Sequence, residues 1–245
     1  MSSEPLRADH LARVSPLHPS RRGREPVEDR SFGLAEAERL VPAEVLRACR
    51  EALQRFVSTD PPSYGVTSAI RGEGRSSIAL GFALAEWLDH ERRTVIVDLD
   101  LEAPALHRRL GLRERPGLEQ VVDGQAHVED YVQRAIGDVW LLSAGAPGVD
   151  APRALNRFAQ STLLSQLSEW AEAVVFDLPP LLGSPTGLEA SRLCTTPVMV
   201  VRAGVTPLPR VKEAVELLSV KPPVVLNGVS TRIPRWLRRA AGDWS

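Results

Sequence analysis

Three short clusters of residues in this 245-residue chain have the composition and spacing to handle phosphate. The first is V-T-S-A-I-R-G-E-G-R-S-S, Val66 to Ser77, in which two glycines precede two hydroxyl residues. Gly72 and Gly74 let the backbone curl so that successive N–H groups point inward, and a helix starting behind them adds its dipole. Glu73 and Arg75 complete the same cradle, Ser76 would face a Mg²⁺ ion, and Ser77 would lie toward an inner phosphate. The other two clusters are Asp98-Leu99-Asp100 and Asp177-Leu178-Pro179-Pro180, each closing an apolar run, TVIVD and AVVFD. A carboxylate at such a point can hold a metal-bound water or orient a nucleophile. Singly, each feature has an ordinary alternative: a tight turn before a helix, or an aspartate capping the next element. The three together, in this order, point to phosphate chemistry.

Elements able to position these clusters follow from the hydrophobic pattern. Candidate strands are Tyr64 to Ser68, Thr94 to Asp98, Val139 to Leu142, Ala173 to Asp177, Val198 to Arg202 and Pro223 to Asn227. Several are apolar at consecutive positions, as in strands covered on both faces. Helical patterns lie between them, at Ser76 to His90, Leu155 to Ala171 and Pro209 to Leu218, and an amphipathic helix precedes them from Leu40 to Phe56. Strands alternating with helices predict an α/β fold, a doubly wound, mostly parallel sheet flanked by helices, with ligands at the carboxyl ends of the strands. The proline-bearing stretch 1–36 reads as a disordered leader, 37–229 as the folded domain, and 230–245 as a basic amphipathic tail.

Composition excludes several function classes. Thirty basic against 31 acidic residues leave a net charge of −1, so no whole-molecule field favours nucleic acid or an anionic membrane. Only Lys212 and Lys221 are lysines; the remaining 28 basic residues are arginines. Cys49 and Cys194 do not make a disulfide framework or a zinc site, and no apolar run approaches the roughly 18 residues of a membrane span. A cytoplasmic location, at most at the inner face of the membrane, is the expectation.

From about Pro42 to Asn227 the chain resembles the cytoplasmic kinase domain of the bacterial tyrosine kinases that control capsule and exopolysaccharide synthesis, a branch of the MinD and ParA-like P-loop ATPases. The resemblance rests on VTSAIRGEGRSS, on DLDLEAPALH from Asp98 to His107, on VFDLPP, and on GLRERPGLEQVV and VVRAGVT. It implies a P-loop fold binding ATP or ADP with Mg²⁺, the metal held by Ser76, Asp100 and Asp177. It implies that Asp98 orients or deprotonates an attacking hydroxyl and that Asn227 contacts adenine, although Asn227 also suits a turn before Gly228. Glu44, Arg47 and Arg50 match the family's E-x-x-R-x-x-R helix, through which subunits associate, so a homo-oligomer is implied; a solvated polar face is the plainer reading of the spacing. The implied partner is the cytoplasmic tail of a membrane polysaccharide co-polymerase-type protein.

Departures from the family pattern bear on activity. Its P-loop lysine is Arg75 here, a planar fork in place of a compact ammonium. Glu102 stands where the family has a basic residue, and Arg71 where it has proline. The only tyrosines are Tyr64 and Tyr131, so a self-phosphorylating tail is not expected. The reading is a nucleotide-binding, kinase-like regulator with weakened catalysis; the alternatives are an active tyrosine kinase that tolerates Arg75 and a MinD or ParA-like positioning ATPase. In the tail, Arg232, Arg235, Arg238 and Arg239 accompany Ile233, Trp236, Leu237 and Trp244, which reads either as a peripheral lipid contact or as a frayed basic end.

Overall fold

The structure, a computed structural model, describes residues 30–56, 61–113, 117–118, 127–145 and 150–229. The basic tail lies outside the described residues, as does the leader up to residue 29.

Seven strands form one sheet in the order β3-β4-β2-β5-β1-β6-β7. They are β1 (Ser63–Ser68), β2 (Thr94–Asp98), β3 (Val132–Ile136), β4 (Val139–Leu142), β5 (Ala173–Asp177), β6 (Thr196–Arg202) and β7 (Val224–Asn227). All neighbours run parallel except β3 and β4. Every residue of β2 and β5 is buried, as their unbroken apolar runs require in a sheet covered on both faces. β3 escapes the apolar-run criterion because it is an edge strand: Val132 and Ile136 are buried while the polar residues between them are not. It pairs antiparallel with β4 through a register shift between Arg134 and Ile136.

Nine α-helices occur among the described residues: α1 (Arg30–Leu40), α2 (Ala43–Leu53), α3 (Arg75–His90), α4 (Leu106–Arg109), α5 (Val128–Tyr131), α6 (Ala151–Gln160), α7 (Thr162–Trp170), α8 (Gly187–Ala190) and α9 (Leu208–Leu217). The helical pattern from Leu155 to Ala171 is divided in two, and the amphipathic helix expected from Leu40 to Phe56 is α2, with α1 a further helix before it. Pro42, which cannot donate a helical hydrogen bond and disfavours helix in the residue before it, separates α1 from α2. Ser161, with φ −80° and ψ 158°, ends α6 and opens α7. α1 begins at Arg30, within the stretch read as a leader, with Ala37 fully buried.

α3 is buried almost throughout its length, and its apolar residues share one core with the inner face of α2, Leu46, Cys49 and Leu53. A second core on the opposite sheet face joins Val95, Val97, Val174 and Phe176 to α6 and α7. Between these layers, the carboxyl ends of β1, β2 and β5 bring the three phosphate-handling clusters to one edge.

Candidate functional site

The loop from β1 into α3 places Gly72 at φ 84° and Gly74 at φ 93°, left-handed conformations that favour glycine. Gly74 is the N-cap of α3, and no side chain caps that terminus. Its carbonyl accepts from the N–H groups of Ser77 and Ile78, both at 3.1 Å. The earlier N–H groups of the turn are thus presented at the positive end of a 16-residue helix, the geometry that binds phosphate.

Glu73 holds this turn from behind. Its buried carboxylate accepts from Ile70 N at 2.9 Å, from Arg202 N at 3.2 Å and from the Thr206 hydroxyl. Asn227 Nδ2 donates to the Glu73 carbonyl at 2.8 Å and approaches Gly74 so closely that a Cβ there would collide with it. The described geometry therefore gives both residues a role in fixing the cradle.

Asp98 and Asp177 are register partners on adjacent strands, each 1% exposed. Burial, then the charge of Asp177, pushes the Asp98 carboxyl up to about 8. Asp98 also accepts from Asp100 N at 3.2 Å and from Ala105 N and Leu106 N at 3.3 Å, so it shapes the loop after β2. Burial raises Asp177 to about 6, opposed chiefly by the Arg75 guanidinium and then by the Ser76 hydroxyl. Asp177 Oδ1 is buried with no hydrogen-bond partner. An unpartnered carboxylate oxygen near a serine hydroxyl, at the edge of a phosphate cradle, fits a Mg²⁺ ion carried by a nucleotide. Among the described residues no group of three or more His, Cys, Asp and Glu side chains could hold a metal unaided, so phosphate oxygens and water would complete the coordination.

Arg75 is 7% exposed. Its Nη1 donates to the Leu178 carbonyl and its Nη2 to Asp100 Oδ2 at 3.0 Å. Arg71 Nη1 donates to the Asp100 carboxylate oxygens at 3.3 and 3.1 Å, and its Nη2 to Glu102 Oε2. Arg109, a residue not singled out in the sequence, donates from Nη1 to Ser77 Oγ at 2.7 Å and from Nη2 to the Leu40 carbonyl at 3.4 Å. The signal available for it was only its position, directly behind the DLDLEAPALH segment.

The remaining named residues lie elsewhere. Glu44 and Arg47 are exposed on α2, beside a groove of about 450 Å³ between α1 and α2 that Leu34 and Glu38 also line. Arg50 Nε donates to both carboxylate oxygens of Asp89 on α3, at 2.9 and 2.8 Å. Tyr64 is 2% exposed, and its hydroxyl donates to Glu86 at 3.0 Å. Tyr131 closes α5, half-buried.

A glycine turn between the interior strand β1 and the buried α3, with strand-terminal aspartates on β2 and β5, is the architecture of a P-loop NTPase. The kinase domain of VpsO shares it, with a TM-score of 0.63 and 24% identity over 82% of this chain and 98% of that one. So does the septum site-determining protein MinD of Pyrococcus horikoshii, solved as a complex with Mg-ADP, at a TM-score of 0.55 and 21% identity over 74% of this chain and 76% of that one. At these identities the likeness shows the fold alone. In sequence, the chain is similar to two named tyrosine-protein kinases, ptk of Acinetobacter johnsonii and YwqD of Bacillus subtilis. It is 25% identical to ptk over 194 residues, 73% of this chain but 26% of that protein. To YwqD it is 25% identical over 167 residues, 67% of this chain and 70% of that one. The chain thus spans about a quarter of the ptk relative. No protein-family profile matches it. The resemblance to bacterial tyrosine kinases and MinD-type ATPases carried by the motifs is borne out at this level.

Proposed function

We propose that this chain is a nucleotide-binding, tyrosine kinase-like regulator of exopolysaccharide or capsule biosynthesis or export, with weakened catalysis. The observation that carries the proposal is the state of Arg75. It stands where the kinases have a phosphate-reaching lysine, and its guanidinium is buried against Asp100 and the Leu178 carbonyl.

Gly72 to Ser77 would hold the phosphates of ATP or ADP through backbone N–H groups and the dipole of α3. Ser76, Asp177 and Asp100 would hold Mg²⁺, which supplies charge neutralisation across the phosphate oxygens when bound. Asp98, raised toward neutrality, suits acceptance of a proton from a substrate hydroxyl once it is ionised. Bringing the Arg75 fork onto a phosphate means breaking its bonds to Asp100 and Leu178. Arg can bind an anion this way, but its shape does not reproduce the reach of a lysine during transfer. Neither tyrosine supports self-phosphorylation in series, since Tyr64 is buried inside the fold and Tyr131 is half-buried.

The proposed partner is the cytoplasmic tail of a membrane protein of the polysaccharide co-polymerase type, with the chain acting in the cytoplasm at the inner face of the membrane. Among the described residues no helix is long and apolar enough to cross a membrane. The exposed Glu44 and Arg47 support self-association into a homo-oligomer. Radiolabelled phosphate transfer from ATP to a tyrosine-bearing protein substrate, with Arg75→Lys alongside, tests the reading. Transfer near background in the wild type, rising at least about tenfold in Arg75→Lys, supports it; wild-type transfer equal to the variant's identifies an active kinase instead.

A further inference from the structure

We propose that Glu102 makes this site select a nucleoside diphosphate over a triphosphate; the inference rests on the nucleotide-binding reading above. Glu102 belongs to a quartet that ties together the loops following β1, β2 and β5. Arg71 reaches both Asp100 and Glu102, Arg75 reaches Asp100, and Ser184 Oγ on the β5 side donates to Glu102 Oε1 at 3.3 Å. Two arginines and two carboxylates make the cluster self-neutralised without any phosphate.

The basic residue at the start of a P-loop helix addresses the outer phosphates. Arg75 therefore marks the end of the cradle into which a third phosphate would extend, and the quartet occupies that end. A diphosphate stopping short of it leaves the ion pairs intact. A terminal phosphoryl group would have to take the arginines from their carboxylates, and would then face the charges so released. Asp100 has a compensating use, since magnesium arriving with the nucleotide can take up its charge. Glu102 sits at the rim, its side chain 30% exposed, bound to Arg71 and Ser184, and its charge would remain opposed to the incoming phosphate. Built-in repulsion of this kind discriminates between ligands that otherwise share every contact.

Calorimetric titration of the full chain with ADP and with ATP, each with and without magnesium, tests the assignment on the wild type, Glu102→Gln and Arg71→Ala. The wild type is expected to bind ADP at least about tenfold tighter than ATP. Glu102→Gln should close most of that gap by strengthening ATP while ADP changes less than about twofold. Arg71→Ala, which leaves Glu102 without its cation, should widen the gap. Glu102 is exposed on its loop, so loss of folding is not expected, and a thermal melt of each variant checks it. Equal wild-type affinities, or a Glu102→Gln effect of the same size on both nucleotides, overturns the inference while leaving nucleotide binding intact. Binding of neither nucleotide overturns both.

Discussion

Asp98 and Asp177 stand in register at the carboxyl ends of β2 and β5, two fully buried carboxylates on neighbouring strands. Both are raised above the ordinary value of 3.8, to about 8 and about 6, with burial the largest cause for each. The folded chain therefore binds more protons than the unfolded one between about pH 4 and pH 8. Stability from this pair is complete below pH 4 and is lost as pH rises through 6 and 8. Calorimetric melting should show a higher Tm at pH 5.5 than at pH 8.5. Asp177→Asn, which removes one charge of the pair, should shrink that difference by about 2–4 °C. A Tm equal at the two pH values, or higher at pH 8.5, would contradict the assignment.

Arg109 links Ser77, in the first turn of α3, to the Leu40 carbonyl at the end of α1. If Ser77 lies toward an inner phosphate, this guanidinium lies beside it. Arg109→Ala should weaken ADP binding on the order of tenfold, as expected for loss of one charge-assisted contact. Because the same side chain touches the α1–α2 junction, the variant should also loosen α1. Hydrogen exchange would report faster labelling of Arg30–Leu40, and unchanged labelling together with unchanged affinity would remove Arg109 from the site.

Arg50 and Arg47 share a helix but not a role. Arg50 is held by Asp89 within the chain, whereas Arg47 faces outward beside Glu44. Arg47→Glu should lower self-association in sedimentation velocity with no change in Tm. Arg50→Ala should cost about 0.2–1 kcal/mol of monomer stability, the range of a partly exposed ion pair. A monomeric wild type at all accessible concentrations would retire the association stripe altogether.

What the sequence made legible was local. β2, β4 and β5 end where their apolar runs end, because a strand covered on both faces writes itself as consecutive β-branched and apolar residues. β3 was missed because an edge strand needs only alternate positions buried, and Val132 and Ile136 alone carry no recognisable run. The glycine turn and the strand-terminal aspartates were readable because each lies within a few consecutive residues. The Arg71–Glu102–Ser184 bridge was not, since it joins loops that only the sheet order brings together. For the same reason the commitment of Glu73 to Arg202 and Thr206 could not be read from the turn itself.

Whether the turn from Gly72 to Ser77 holds a nucleotide is decided by calorimetric titration of Mg-ADP into the wild-type chain and into Gly74→Val, whose side chain would collide with Asn227 and displace the turn. One site per chain in the wild type, weakened at least about tenfold in a Gly74→Val chain that still melts cooperatively, is expected. No binding to the wild type, or undiminished binding to folded Gly74→Val, would overturn the nucleotide reading.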